Sequence, residues 1–140
     1  MTFPAYALDH FSLTVPNLEQ AVDFFIRALG ARLKYTRVLA PGSEPALMEE
    51  NYLAHREAGF ALAKLELGGL GIELFEYSAP DQSRSQPRNC DLGGTHLGIV
   101  VPDIDEAIRL AATYPGVRVL GEPQTLRGDT HWVAADGYTC

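Results

Sequence analysis

An internal repeat is the feature that most constrains how this chain folds. Residues 10–22 return as residues 96–108. A histidine, a valine, a proline and an alanine recur identically, and the other key positions exchange Leu for Ile, Asn for Asp or Val for Ile. Self-similarity of this length at a fixed offset marks a duplicated structural unit. The sequence therefore predicts two copies of one supersecondary motif.

The first copy is typical of a strand that turns into a helix. Apolar and polar residues alternate through residues 10–15, the period of a half-buried strand, and Pro16 ends that strand. Asn17 then predicts a helix N-cap, and Gln20 three residues later completes a capping box. Gly30 predicts the end of the helix.

The second copy and the intervening segments complete the pattern. Asp103 and Glu106 predict the second helix N-cap, and Pro115 with Gly116 predicts its end. Other strands are predicted at residues 31–39, 60–67, 71–77, 118–120 and 130–135, and a short helix within residues 47–55. We expect one α+β domain over residues 1–140, with tandem βαβββ modules at about 6–78 and 95–140 joined by a linker at 79–94. The two modules are expected to form a curved, cup-like mixed sheet, with its last strand incomplete.

Strand periodicity places three chemically active side chains on one face. The apolar residues of each strand must pack against the helices, which leaves His10, Glu73 and His96 on the opposite, concave face. Two histidines and one carboxylate with open coordination positions suit Fe(II), Mn, Co, Ni or Zn. Taken singly, each histidine is also explained as a hydrogen-bonded structural residue near the start of a strand. Glu73 alone is likewise explained as a solvent-facing strand residue. Their joint occurrence, with both histidines at equivalent repeat positions, favours a metal site.

Other candidate residues have weaker patterns. Glu66 is an alternative carboxylate ligand, but it shares parity with Lys64 and is expected to pair with it. Glu76 is expected in water at a strand end. The remaining candidates are interpreted as structural or surface groups: His55, His131 and Cys90.

Composition excludes several classes of protein. The formal net charge is -7 and the Lys and Arg residues are scattered, so no basic stripe for nucleic acid is present. No apolar run approaches the length of a membrane span, and no signal peptide is recognised. Cys90 and Cys140 are too few for a disulfide framework, which favours a cytoplasmic protein.

Three motifs resemble the vicinal oxygen chelate superfamily, which contains glyoxalase I, bleomycin resistance proteins and extradiol dioxygenases. They are residues 8–17, 71–77 and 93–103. The resemblance implies paired βαβββ units with metal ligands on the first and fourth strand of each unit, which matches His10, Glu73 and His96. It also implies a glutamate ligand on the last strand, after the turn at residues 136–137, at a position that would lie beyond Cys140.

The resemblance is strongest to glyoxalase I and methylmalonyl-CoA epimerase. It implies a lyase or isomerase that binds one divalent metal ion and stabilises an enolate of a small carbonyl or thioester substrate. Either Glu73 or the glutamate expected on the last strand would be the general base. A non-haem Fe(II) dioxygenase of the extradiol type is one alternative, since the same ligand types suit it. A non-catalytic small-molecule binding or drug-resistance protein is the other.

Partners and substrate contacts are less constrained by the sequence. A small-molecule substrate and a homodimer are expected, because an incomplete last strand leaves an exposed edge. Residues 41–57 are interpreted either as a lid over the cup or as a surface helix that packs Leu47 and Leu53. Arg84 and Arg88 are interpreted either as receptors for an anionic group or as solvated charges.

Overall fold

The fold is seen in a computed structural model that describes residues 7–125 and 131–136. The helices are Leu18–Arg27 (α1), Pro45–Asn51 (α2) and Ile104–Ala111 (α3). The strands are His10–Thr14 (β1), Arg32–Leu39 (β2), Gly59–Leu67 (β3), Leu70–Ser78 (β4), Arg118–Thr125 (β5) and His131–Asp136 (β6). Helices pack on a mixed sheet, so the predicted α+β class is confirmed.

A four-stranded sheet forms the first module, with its strands in the order β1-β4-β3-β2. Strand β1 runs parallel to β4, whereas β3 is antiparallel to both β4 and β2. Gly68 and Gly69, at φ 59° and 84°, form the two-residue turn between β3 and β4, where the backbone shape favours glycine at both positions. The predicted βαβββ order is confirmed here, and the sheet is open rather than closed.

Helix α1 covers one face of this sheet. Asn17 Oδ1 accepts a hydrogen bond from the backbone N–H of Gln20 at 2.8 Å, which is the predicted N-cap. The helix ends at Arg27, slightly before the predicted stop, and Gly30 at φ 73° redirects the chain. A shared core buries apolar side chains of α1, β3 and β4, including Ala21, Phe25, Ala63, Leu65, Ile72 and Leu74. This burial fixes which residues of β4 point to the opposite face.

Helix α2 covers part of that opposite face. Its Met48 is fully buried, at 0% exposure, in a second apolar cluster with Ala58, Phe60, Leu62 and Phe75. The helix begins two residues before the predicted range and ends at Asn51, so that Leu53 lies beyond it and is 91% exposed. Residues 45–52 therefore lie on the sheet, with Leu47 and Tyr52 packed against the same cluster.

The second module contains α3 and a separate two-stranded sheet of β5 and β6. Asp103 accepts a hydrogen bond from the backbone N–H of Glu106 at 2.9 Å, so the predicted N-cap is confirmed. Helix α3 ends at Ala111, earlier than the predicted stop at Pro115. Strand β5 is longer than predicted, while β6 matches its predicted range to within one residue.

The predicted strand that begins at His96 is not formed. Residues 94–101 have no regular secondary structure, and Ile99 and Val100 are 41% and 100% exposed. Leu97 packs against the first-module core instead of α3. In the first module β1 is hydrogen-bonded to β4, but the equivalent of β4 in the second module would follow the predicted turn at residues 136–137, outside the described residues.

Helix α1 contacts the segment that follows α3. The rings of Phe24 and Tyr114 meet edge to face, with centroids 5.4 Å apart, and Gln20 Nε2 donates to the Pro115 carbonyl. In the linker, Arg88 forms a bidentate ion pair with Asp91, with its shortest contact at 2.7 Å. Within the part of the chain that the structure describes, no helix is both long and apolar enough to cross a membrane.

Candidate functional site

Alternate residues of β1 and β4 form the sheet face that α1 leaves uncovered. Ile72 and Leu74 are buried in the core with α1, so Glu73 between them points to the other side. Ser12 lies directly opposite Glu73 in the parallel pair of β1 and β4, and His10 has the same parity as Ser12. The structure thus places His10 and Glu73 on one face.

His10 and Glu73 are in direct contact. Nε2 of His10 lies 3.3 Å from Oε2 of Glu73, and the two side chains are 37% and 15% exposed. Nδ1 of His10 hydrogen-bonds to the carboxylate of Asp9, so in the neutral ring Nδ1 carries the proton and Nε2 presents its lone pair. Two acceptors then face each other, an arrangement that a cation between them stabilises, either a proton or a metal ion.

Lys64 closes these side chains into a ring of four. Its Nζ lies 3.2 Å from Oε1 of Glu73 and 3.3 Å from Oδ2 of Asp9. Burial by itself would lower the pKa of Lys64, but the hydrogen bonds and the charge attraction of Glu73 and Asp9 together outweigh burial and raise that pKa. Hydrogen bonds from His10 and Lys64 lower the pKa of Asp9. Lys64 is therefore a cation that holds Glu73 directly and supports His10 through Asp9.

His10 and Glu73 open into a cavity of about 560 Å³. It is lined by residues from β1, β4 and the α2 segment: His10, Ser12, Leu47, Asn51, Tyr52, Glu73, Phe75 and Tyr77. Phe75 and Tyr77 stack with centroids 5.3 Å apart and planes 12° apart, and Tyr52 packs against Phe75 at 5.9 Å. The cavity thus combines an imidazole–carboxylate pair with an aromatic wall, which is the combination that small-molecule sites use for orientation and affinity.

Tyr77 keeps its hydroxyl proton in this cavity. Burial raises the pKa of Tyr77 to about 12, and the nearby Tyr52 and Glu73 act in the same direction. The neutral phenol is consequently the form present at physiological pH, and it can donate a hydrogen bond.

His10 and Glu73 suit two of the coordination positions of one divalent metal ion. Neighbouring ligand atoms that bind one ion at about 2.0–2.2 Å lie roughly 3 Å apart, and His10 Nε2 and Glu73 Oε2 are 3.3 Å apart. Asp9 gives His10 the carboxylate contact at the far ring nitrogen that metal-binding histidines commonly have. His10 and Glu73 can therefore serve as two ligands of one ion.

His96 is not brought to this pair. It is exposed, in the segment without regular structure, and it does not line the cavity. Across residues 7–125 and 131–136, no three His, Cys, Asp or Glu side chains are grouped so as to hold a metal ion. The role of His96 as a ligand stays a prediction.

Two carboxylates have other partners than the sequence predicts. Glu66 pairs with Arg32 at 2.8 Å and with Lys34 at 3.2 Å, both on the neighbouring strand β2. Cross-strand neighbours lie closer to each other than two residues that are two positions apart on one strand, as Glu66 and Lys64 are. The expected pairing of Glu66 with Lys64 is therefore wrong. Glu76 is also not simply solvated, since its Oε2 accepts a hydrogen bond from the backbone N–H of Leu18 at 2.6 Å. Each carboxylate thus serves the structure rather than the cavity.

His55 and Cys90 do not line the cavity. His55 is exposed and its Nδ1 accepts a hydrogen bond from the backbone N–H of Glu57 at 3.1 Å. Cys90 is exposed in the linker, and His131 belongs to β6. Asp9 and Lys64 were not predicted as site residues, whereas Asn51 and Tyr52 belong to residues 41–57, which were interpreted either as a lid or as a surface helix. The adjacency of Asp9 to His10 and the hairpin register that sets Lys64 opposite Glu73 were available signals.

Sequence comparison relates the chain to known proteins. The family model described as the glyoxalase/bleomycin resistance protein/dioxygenase superfamily matches residues 7–135. A 2-epi-5-epi-valiolone epimerase from Actinomyces sp. is 46% identical over 123 residues, which cover 87% of this chain and 66% of that protein. The chain therefore spans just under two thirds of the length of this curated relative.

Two solved structures share the fold. A glyoxalase family protein from Bacillus cereus matches with a TM-score of 0.61 at 23% identity, over 86% of this chain and 78% of that chain. A variant of a fosfomycin resistance protein from Listeria monocytogenes, crystallised with Mn(II) and 1S,2S-dihydroxypropylphosphonic acid, matches with a TM-score of 0.55 at 15% identity, over 94% and 85% of the two chains. At these identities the likeness is one of fold alone.

Proposed function

This chain belongs to the glyoxalase/bleomycin resistance protein/dioxygenase superfamily, and on that premise we propose that it is a metal-dependent epimerase of a small ketone. In the proposed reaction a base takes the proton from the carbon next to the carbonyl, an enolate forms, and a proton from solvent is added to the opposite face of that carbon. The epimerase relative at 46% identity supports isomerisation over the lyase chemistry of glyoxalase I.

The observation that carries this proposal is the His10–Glu73 pair. Its atoms are 3.3 Å apart, it faces the cavity, and Asp9 fixes the far side of the imidazole. Glu73 is also the only carboxylate among the described residues that line the cavity. One side chain is thus available both to bind a cation and to accept a proton.

Each residue of the site has a defined task in this mechanism. His10 and Glu73, with His96 as the proposed third ligand, would hold a divalent metal ion, which would supply Lewis-acid stabilisation of the enolate oxygen. Glu73 is the general base that takes the proton from the substrate carbon. Lys64 holds the Glu73 carboxylate at 3.2 Å, and Asp9 keeps the His10 ring oriented. Leu47, Asn51 and Tyr52 line the cavity on the side opposite the strands.

Metal content is the first test of the proposal. We expect elemental analysis of the purified protein to find near-stoichiometric Fe, Ni, Co, Mn or Zn, because two donors are already placed for one ion. His10→Ala should lose that metal, as should His96→Ala if His96 is a ligand. His55→Ala is the matched control, since His55 is exposed and outside the cavity.

The second readout is proton exchange. With 2-epi-5-epi-valiolone in D2O, NMR should report deuterium entering next to the carbonyl in the wild-type protein and not in His10→Ala. Iron with oxygen consumption on a catechol would instead support the dioxygenase alternative. Wild-type protein that takes up none of these ions contradicts metal dependence and leaves a small-molecule binding protein.

A homodimer is part of the proposal. Strands β1 and β2 are the two open edges of the four-stranded sheet, and the segment at residues 94–101 exposes Ile99 and Val100. Exposed edges and apolar segments of this kind favour association with a second copy. Size-exclusion chromatography with light scattering should give about twice the chain mass of 15.3 kDa. A single species at the chain mass would contradict the dimer.

A further inference from the structure

Inversion of a carbon requires the cavity to hold a proton donor that faces Glu73 across the substrate. In the proposed reaction Glu73 takes the proton from one face of the carbon. If Glu73 returned that proton itself, the starting isomer would be restored. A second group in the cavity is therefore needed to deliver a proton to the opposite face.

Tyr77 shares the cavity face of β4 with Glu73. The two residues are four positions apart on one strand, so their side chains point the same way and their Cα atoms lie about 13 Å apart. Both line the cavity, and Phe75 lies between them in the same lining. This spacing leaves room for a small ligand above Phe75, with the carboxylate at one end and the phenol at the other.

Three aromatic rings fix the orientation of Tyr77. Its ring stacks on Phe75 with planes 12° apart, and its centroid lies 5.7 Å from that of Phe60 and 6.4 Å from that of Tyr52. Phe60 and Phe75 are only 3% and 5% exposed, so the core holds them in place. Because the hydroxyl lies on the long axis of the ring, a ring fixed by packing also fixes the direction of its hydroxyl.

The hydroxyl of Tyr77 is a protonated donor without a partner among the described residues. It makes no hydrogen bond to any of them, although buried tyrosine hydroxyls usually find one. It is also not sealed in the core, so a ligand can reach it. Burial, together with the nearby Tyr52 and Glu73, raises the pKa of Tyr77 to about 12, so the phenol carries its proton at physiological pH.

Other donors in the lining are less suited to this task. Ser12 and Asn51 also line the cavity, but their hydroxyl and amide are not among the side chains that commonly act as general acids. Tyr52 is a phenol on a separate segment, whose course depends on the left-handed turn at Leu53 with φ 51°. Tyr77 instead stands on the strand that carries the base, and strands hold functional groups more precisely than loops do.

We propose that Tyr77 is the catalytic acid opposite Glu73, and that its hydroxyl delivers the proton that inverts the substrate carbon. This inference rests on the proposed function, since it adds a second proton-transfer group to the same site.

The two proton transfers balance without any further reactant. As the C–H bond breaks, the Glu73 carboxylate takes the proton, and the electron pair of that bond stays on the substrate as the enolate. A new C–H bond then forms on the opposite face as the O–H bond of Tyr77 breaks. Solvent reprotonates the phenolate and accepts the proton held by Glu73, which restores the starting state of both residues.

Tyr77 lies beyond the metal ion proposed between His10 and Glu73. Metal ligands of these types bind at about 2.0–2.2 Å, and the two donor atoms of that pair are at the Glu73 end of the cavity. A substrate carbonyl oriented toward His10 and Glu73 would place its neighbouring carbon between Glu73 and Tyr77. The metal ion and the phenol therefore serve different atoms of one substrate.

Tyr77→Phe removes the donor and keeps the ring. With 2-epi-5-epi-valiolone in D2O, we expect formation of the opposite epimer to fall by roughly 10²-fold or more, as for the loss of a positioned acid. Deuterium should still enter the starting isomer, because Glu73 can take a proton and return a deuteron to the same face. One NMR time course measures both rates. Exchange without inversion is a signature that neither unfolding nor loss of metal produces.

Tyr35→Phe is the matched control for Tyr77→Phe. Tyr35 is 51% exposed on β2 and does not line the cavity, so this variant should form the epimer at the wild-type rate. Elemental analysis should find as much metal in Tyr77→Phe as in the wild type. If Tyr77→Phe lost its metal and both rates together, Tyr77 would be a ligand or a structural residue, and the inference would be overturned.

Tyr52→Phe compares the other phenol of the cavity. Loss of inversion in Tyr52→Phe, with inversion retained in Tyr77→Phe, would overturn the assignment of the acid. The failures of the two proposals also remain distinguishable. Wild-type protein that exchanges no deuterium on the ketone would reject the epimerase and this inference with it. Wild-type epimerisation that persists at the same rate in Tyr77→Phe would reject this inference alone.

Discussion

Glu73→Gln is expected to lower the rate of proton exchange by roughly 10²- to 10⁴-fold, the range that positioned acid–base groups contribute. Glutamine keeps the shape of the side chain but cannot accept the substrate proton, and it offers a metal a neutral oxygen in place of a carboxylate. The measurement is deuterium incorporation into 2-epi-5-epi-valiolone at saturating substrate, with metal affinity determined in parallel by calorimetry. Both quantities should fall together.

The fold should survive this substitution. Lys64 loses one anionic partner but retains Asp9 at 3.3 Å, so no buried charge is left alone. A thermal midpoint close to that of the wild type would separate a chemical effect from an unfolding effect.

Glu66→Gln is the matched control for Glu73→Gln. Glu66 lies on the neighbouring strand, pairs with Arg32 and Lys34, and does not line the cavity. Its variant should exchange protons at the wild-type rate. If Glu66→Gln were the inactive variant and Glu73→Gln the active one, the assignment of the carboxylate would be wrong.

Local signals in the sequence predicted most of the first module. The caps at Asn17 and Asp103 depend on a side chain and a backbone N–H three residues apart, so no distant contact is needed to form them. The turn at Gly68 and Gly69 likewise fixes the β3–β4 register by itself. Strand periodicity then decided that Glu73 faces away from α1.

The second module shows where such signals fail. Residues 96–101 carry nearly the same pattern as β1, yet they form no strand in the described chain. A strand depends on a hydrogen-bonding partner elsewhere in the chain, and periodicity says nothing about whether that partner is present. The position of His96 depends on this pairing, so its distance from His10 could not be read from the repeat.

The sequence predicted that His10 and Glu73 share one face of the sheet, but it did not predict the side chains that surround them. Lys64 was assigned to Glu66 because parity within one strand was considered without the cross-strand neighbours that choose between partners. The ring that joins Lys64 to Asp9 spans 55 residues of sequence. Tyr52 lies in the segment interpreted as a lid or a surface helix, but its contact with the cavity depends on the turn at Leu53, whose left-handed conformation no leucine pattern predicts.

Leu74→Ala is expected to lower the free energy of unfolding by about 2–5 kcal/mol, the usual cost of removing a fully buried leucine side chain. Leu74 is 0% exposed in the core between α1 and the sheet. It is also the neighbour of Glu73 on β4, so its packing holds the strand that presents the carboxylate. Urea denaturation followed by circular dichroism measures the change, and it should appear as a lower midpoint at constant slope.

Leu33→Ala provides the comparison for Leu74→Ala. Leu33 is the same residue type in the same sheet, but it is 43% exposed on β2, so its removal should cost less than half as much. The difference between the two variants isolates the contribution of burial, because both lose the same atoms and gain the same strand-disfavouring alanine. Equal losses would mean that Leu74 is not in the core that positions Glu73. In a further outcome, Leu74→Ala alone shows a large loss of unfolding free energy while its folded fraction still exchanges deuterium. That result would separate the stability of β4 from the chemistry of the Glu73 carboxylate.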